Sequence, residues 1–206
     1  MLFTKSSQLH VAFTADQLST IKVVNWETQR EFGVLKPKTQ NSRGYGMCMC
    51  LAEKRSQTDT NFIVAGYEDG SLALWNIASQ EMSHRLELFC ETMMALDYHS
   101  DTNRGVSTSV ACDVIVWTVN NSEIQKLSTI SLQNPGAGCV RFRADGKLFA
   151  VGCWDARAKV FSSRKHNLLA VLTFHSESVQ SLAFSSNDSL ALGSKDGAVT
   201  VWDLYN

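Results

Sequence analysis

Four stretches of alternating β-type residues, each closed by an aromatic ring, recur along the chain at nearly constant intervals. They are residues 71–76, 113–118, 157–162 and 198–203, and their closing aromatics are Trp75, Trp117, Phe161 and Trp202. The rings stand 42, 44 and 41 residues apart. Self-similarity at a period of about 40–45 residues constrains the fold more than any other feature, because so short a unit cannot bury its apolar faces alone and must stack on its neighbours. The runs alternate with period two, and no helical 3.6-residue period competes with them. The expectation is an all-β array with about four short strands per unit.

Each unit repeats the same internal order. In the last, residues 178–184 read as a first strand, Asn187-Asp188 as a turn, 189–194 as a second strand and 199–204 as a third. Between the last two lies Lys195-Asp196-Gly197, a tight hairpin turn, since Asp-Gly tolerates the positive φ that such turns require. The preceding unit has 138–142, 147–153, the Asp155-Ala156 turn and 158–162. The unit ending at Trp75 has 47–51, 61–66, the Glu68-Asp69-Gly70 turn and 71–77, with its first turn stretched into a polar loop at 52–60. The Trp117 unit is the most degenerate, with 93–98, 104–111 and 113–119. Residues 83–88 and 168–173 supply fourth, outer strands. Upstream, residues 8–12 and 20–26 read as the tail of a less regular unit, with Trp26 lying 49 residues before Trp75. Four units and a partial one are therefore expected: a partial unit with its connection at 1–44, then 45–89, 90–134, 135–174, and a last unit at 175–206 with no outer strand after Tyr205-Asn206.

Composition narrows the function. Nineteen Lys+Arg against 20 Asp+Glu leave a net charge of -1, which gives no electrostatic reason to expect nucleic acid or an anionic membrane as partner. The first eight residues lack the basic and apolar regions of a secretory signal, and no apolar run reaches the ~20 residues of a spanning helix. The six cysteines, Cys48, Cys50, Cys90, Cys112, Cys139 and Cys153, show neither C-x-x-C nor zinc-type Cys/His spacing. They read as core-packing thiols in a reducing cytoplasmic or nuclear setting.

Few residues invite a chemical reading. Gly44-Tyr45-Gly46 and Gly136-Ala137-Gly138 lack the third glycine and the helix of a dinucleotide site. There is no P-loop, so no cofactor, metal or small-molecule substrate is expected. His175, Ser194 and Asp196 suggest a hydrolase triad. Against it, aspartate recurs at the same turn as Asp69, Asp155 and Asp196, whereas a catalytic group would occur once.

The aromatic endings, the turn aspartates and the period resemble the WD40 β-propeller family over nearly the whole chain, and the last repeat is the most specific match. The resemblance implies a propeller of about four blades plus a partial one, left open, and hence a fragment, a shortened isoform or an incomplete gene model of a longer protein. It also implies that His175, Ser194, Asp196 and Trp202 form a structural tetrad, in which the aspartate bonds the histidine, the histidine bonds the serine, and the serine bonds the indole. At the histidine's place the other units have Glu91 and Gly136.

Within that family, 46–51, 65–70, 152–155 and 169–184 with the tail 193–205 are similar to the C-terminal part of the guanine-nucleotide-binding-protein β-subunit-like and ASTRA-associated group. That likeness implies an interaction scaffold for protein partners, an adaptor in assembly and stabilisation of PI3-kinase-like kinases beside chaperone-linked factors. A generic adaptor for other partners, such as a ubiquitin-ligase or signalling scaffold, and a truncated isoform without function remain as alternatives. Candidate interface residues are Trp154, which precedes the Asp155 turn on a rim facing solvent, and the related Tyr67, Glu68 and Lys195. For each, simple packing or solvation is the competing explanation.

Overall fold

In the computed structural model the chain is built from antiparallel β-sheets, and the described residues contain no helix. The structure describes residues 2–3, 10–14, 18–25, 27–38, 44–54 and 62–204. Trp26, positions 55–60 of the polar loop and Tyr205-Asn206 lie outside them.

The first sheet holds β1 (Leu2–Phe3), β2 (His10–Thr14), β3 (Ile21–Asn25) and β4 (Glu31–Leu35). The second holds β5 (Cys48–Lys54), β6 (Phe62–Tyr67), β7 (Ser71–Asn76) and β8 (Glu81–Glu87). The third holds β9 (Met93–His99), β10 (Arg104–Ser109), β11 (Asp113–Asn120) and β12 (Glu123–Ser131). The fourth holds β13 (Ala137–Phe142), β14 (Leu148–Cys153), β15 (Arg157–Ser162) and β16 (Leu168–Thr173). The fifth has three strands, β17 (Val179–Phe184), β18 (Ser189–Ser194) and β19 (Val199–Asp203). Strands follow one another in chain order within every sheet. The N-terminal segment, expected as a partial unit, is fuller than that: it carries four strands, the first only two residues long.

The repeat extends to register. Ile63 lies opposite Trp75, Gly105 opposite Trp117, Phe149 opposite Phe161 and Leu190 opposite Trp202. In each of these four sheets the residue twelve before the closing aromatic therefore faces it, which only equal turn lengths allow.

The chain divides into two compact units, residues 1–93 with 119–125, and residues 94–118 with 126–206. In the first, Ile21, Val23 and Leu35 pack with Ile63, Ala65, Tyr67 and Trp75. In the second, Val106, Val114 and Val116 meet Phe142, Phe149, Val151 and Phe161. The other face of the fourth sheet presents Ala150, Ala158 and Val160 to Leu182, Leu190 and Leu192. A strand sandwiched this way needs apolar residues on both faces, which is why β14 reads Leu-Phe-Ala-Val-Gly-Cys without a polar residue. Phe149 stacks on Phe161 at 5.3 Å and meets Phe142 edge-on at 5.7 Å; burying such a ring contributes about 1.5–3 kcal/mol. The equivalents of Ala158 and Val160 in the fifth sheet, Val199 and Val201, are 74% and 69% exposed.

Burial of the cysteines divides. Cys48, Cys139 and Cys153 are buried, and loss of hydration pushes their thiols up to about 12, 12 and 11. Cys50 and Cys112 are half-buried, and Cys90 is exposed, so core packing does not account for all six.

The turn after the second strand places one residue at positive φ: Gly70 at +80°, Gly197 at +82° and, in the fourth sheet, Ala156 at +65°. A Cβ in this region crowds the backbone at a cost of about 1–2 kcal/mol. Ala156→Gly is expected to stabilise the fold by about 1 kcal/mol, the strain relief being partly offset by the freer unfolded chain. A urea melt that shows no change or a loss would contradict the assigned turn.

Candidate functional site: the turn aspartates and the pinned aromatics

The closing aromatics point inward because they alternate with outward residues along the third strand. Trp75 and Trp117 are 1% and 0% exposed, and an indole N–H so placed needs an acceptor. Each sheet supplies a different one. Trp117 donates to the Ser107 hydroxyl at 2.8 Å, and Trp75 to the Tyr67 hydroxyl at 3.2 Å. Trp202 donates to Thr200 Oγ1 at 3.0 Å. Phe161 has no N–H, and the position that holds Ser107 in the third sheet is Val151 in the fourth.

Two expectations are corrected here. Ser194 does not join His175 to Trp202; Thr200 does. His175 Nδ1 lies 3.0 Å from Asp196 Oδ2, and its Nε2 lies 3.0 Å from Thr200 Oγ1. The Ser194 hydroxyl turns instead to the carbonyls of Glu177 and Ser178, at 2.9 and 3.2 Å. Ser194 lies eight residues before Trp202. The second-strand site that would match Ser107 is ten before, and there the chain has Leu192, which faces Thr200 across the register. Tyr67, proposed for the interface, is fully buried as the acceptor for Trp75. Its hydroxyl is held well above its ordinary range, first by burial.

The tautomer that satisfies every partner in the last sheet runs one way: indole N–H to Thr200, the Thr200 hydroxyl to His175 Nε2, and His175 Nδ1–H to Asp196. This has the connectivity of a triad but not its access. The hydroxyl accepts from the Trp202 indole while it donates to His175, and the His175 side chain is 1% exposed.

The turn aspartates share a local role and differ in their distant partner. Each accepts the backbone N–H two residues on: Ser71 at 2.9 Å, Arg157 at 3.3 Å and Ala198 at 2.9 Å. Asp69 also holds Arg85 Nη2 at 2.7 Å, and that guanidinium lies 4.5 Å above the Tyr45 ring. Asp155 holds Asn134 at 3.0 Å and the buried Lys159 ammonium at 3.3 Å. Asn134 and His175 each precede their aspartate by 21 residues, so Asn134, not Gly136, occupies the histidine's place. For Asp155, burial pushes the carboxyl up, but Asn134 and Lys159 outweigh it and hold it low. For Asp196, the Ala198 N–H, then the Ser176 N–H and His175, outweigh burial and hold the carboxyl at about 2.

Asn134, Lys159, Arg85 and Thr200 escaped the sequence reading. A lysine at an inward position of an apolar strand was the available signal, since a buried ammonium requires a partner. Asp97 was a similar one. It accepts the Phe142 N–H at 2.7 Å, tying β9 to β13, and burial raises its carboxyl.

The residue before each turn aspartate lies on the rim. Its N–H bonds a carbonyl at the entrance to the first strand: Glu68 to Met47, Trp154 to Gly136, and Lys195 to Ser178. Glu68 and Lys195 are exposed, and the Glu68 carboxylate accepts the Met47 N–H at 3.0 Å. Trp154 is 44% exposed. One face of its indole lies on the Gly136–Gly138 loop, where a Cβ on Gly136 would fall 2.1 Å from the ring. Its N–H meets no acceptor among the described residues. A cleft of about 1320 Å³ in the first compact unit is lined by Lys36, Lys38, Tyr45, Asp69, Arg85 and Phe89.

Replacing Thr200 by Val strands both the His175 ring nitrogen and the Trp202 N–H, and is expected to cost about 1–3 kcal/mol. Ser194→Ala, which removes bonds nearer solvent, is expected to cost less. The reverse order in denaturant melts would overturn the assignment. The depressed Asp196 carboxyl contributes stability that is full above its ordinary 3.8 and lost as pH falls towards about 2. In acid titrations Asp196→Asn is expected to flatten this fall, and an unchanged curve would contradict it.

The repeat found by register agrees with comparison to known proteins. The family model WD domain, G-beta repeat, matches residues 126–162 and 166–203. A mouse (Mus musculus) protein named guanine nucleotide-binding protein subunit beta-like protein 1 is 34% identical over 186 residues, covering 90% of this chain and 57% of its own length. ASTRA-associated protein 1 of Schizosaccharomyces japonicus is 27% identical over 193 residues, covering 83% of this chain and 51% of itself. A ribosome biogenesis protein WDR12 homolog of Drosophila erecta is 28% identical over 166 residues, covering 69% and 39%. The chain thus spans about half the length of the first curated relatives it matches. Residues 126–162 and 166–203 are thus WD40 repeats, and the shared register carries the same sheet pattern into the second and third sheets.

Proposed function

We propose that the chain is a protein–protein interaction scaffold and not an enzyme, and that it serves the assembly and stabilisation of PI3-kinase-like kinase complexes. The observation that carries the scaffold reading is Trp154. It is a large ring held on a glycine loop by one face, open to solvent on the other, and carried by a sheet whose turn is tied by Asp155, Asn134 and Lys159. A rigid exposed tryptophan is the side chain that most often anchors a protein interface. Repeated sheets provide a stiff frame on which rim residues differ freely: Glu68, Trp154 and Lys195 share one backbone position and no chemistry. Against an enzyme stands the engaged hydroxyl of Thr200. The kinase-assembly reading rests on likeness to relatives named for association with ASTRA, and cytoplasmic or nuclear residence is proposed with it.

The test is affinity purification of the full chain followed by mass spectrometry. Recovery of ASTRA subunits or kinase-maturation factors is expected, with at least a tenfold drop for Trp154→Ala at an unchanged melting temperature. A clean absence of such proteins would remove the kinase-assembly role. Capture indifferent to Trp154→Ala would remove the anchor.

A further inference from the structure

Outer strands expose unpaired backbone groups, and natural sheets guard them with charge or with a covering side chain. Three of the four outer strands here are guarded. β4 carries Glu31, and the Gln80 side chain lies along it: Oε1 accepts the Val34 N–H at 3.5 Å and Nε2 donates to the Phe32 carbonyl at 3.4 Å. β8 carries Glu81, His84, Arg85 and Glu87. β12 carries Glu123 and Lys126, and its Ile124 N–H donates to His84 Nδ1 at 3.1 Å. β16 reads Leu-Leu-Ala-Val-Leu-Thr, with no charge and no proline. Its outer side pairs with no strand among the described residues, and Leu168, Leu169 and Val171 are 48%, 39% and 41% exposed. The bulge at Leu169 does not set β16 apart, because β4 and β8 bulge at the same place. Arg164 and Lys165, in the turn leading into β16, are exposed and make no ion pair among the described residues.

We propose that the free edge of β16 docks an extended segment of a partner protein, apolar at alternate positions and acidic where it passes Arg164 and Lys165. Resting on the scaffold reading, it names the kind of segment the scaffold takes. Added as a further strand, such a segment gains main-chain hydrogen bonds from the edge, while its alternate side chains rest on Leu168, Leu169 and Val171. The neighbouring cations set its charge, so binding weakens with salt.

The probes are two labelled peptides with the same core of alternating Val and Thr, one flanked by Asp-Glu-Asp at both ends and the other by three lysines. Each is titrated with the full chain by fluorescence anisotropy, and the complex is mapped by hydrogen exchange. The acidic peptide is expected to bind saturably and at least tenfold more tightly than the basic one, and to protect the amides of 168–173. Leu169→Lys should weaken it at least tenfold, and the double variant Arg164→Glu/Lys165→Glu should reverse the preference, with melting temperatures unchanged. Val171 is left in place because it stands opposite Lys159. Val201→Lys, on the terminal strand β19 of the fifth sheet, should leave the affinity within twofold. No saturable binding, or a loss with Val201→Lys while Leu169→Lys is inert, overturns the proposal. If native partners are still captured in that case, the edge fails and the scaffold reading survives.

Discussion

An indole N–H taken out of water must find an acceptor, at a cost of about 1–3 kcal/mol if it finds none. The repeat is organised around that demand. In the second to fifth sheets the third strand carries an inward ring near its end, and where the ring is tryptophan, a hydroxyl stands within 3.2 Å of its nitrogen. The hydroxyl comes from a second-strand serine in one sheet, a second-strand tyrosine in another, and the third strand itself in the last. Phe161 removes the demand, and the fourth sheet accordingly places Val151 where a serine would serve. What recurs along the chain is therefore a physical requirement and a register, met by different residues.

The turn aspartates follow the same logic one step outward. Their bond to the N–H two residues on is local and recurs in three sheets, whereas Arg85, the Asn134–Lys159 pair and His175 are alternative donors to the remaining oxygen. Fixing the turn fixes the residue before it, and that residue is where the sheets differ most in chemistry. The frame thus leads to function: the tied turn holds Trp154 in one pose, so that an interface formed through it need not order the ring first. The bare edge of β16 lies on the same sheet.

The period, the strand order and the three-stranded last sheet were legible from residues 45–204 because the apolar alternation recurs in every unit and the turn aspartates Asp69, Asp155 and Asp196 mark three of them. The polar network was legible only in part. His175, Asp196 and Trp202 share one network, but Thr200 is what joins the histidine to the indole. Ser194 does not do so: it stands eight residues before its ring, where the long Tyr67 side chain reaches Trp75, but the short serine hydroxyl turns to the carbonyls of Glu177 and Ser178. Tyr67 was taken for a rim residue since it adjoins the turn, yet the same alternation turns it inward. Asn134 and Lys159 were hidden because neither resembles histidine, and equivalence of place becomes visible only once the strands are laid side by side. Of the first sheet, the runs at 8–12 and 20–26 were read and overlap β2 and β3, whereas β4 and β1 escaped notice, the latter because two residues carry no periodicity to read.

The central claim, that each repeat pins its closing indole while Trp154 is left for a partner, is tested most directly by exchange of the indole Nε1 protons, resolved by ¹⁵N-edited NMR of the full chain. The account predicts slow exchange for Trp75, Trp117 and Trp202, and fast exchange for Trp154. A protected Trp154, or a Trp117 proton that exchanges as freely as one in water, would contradict it.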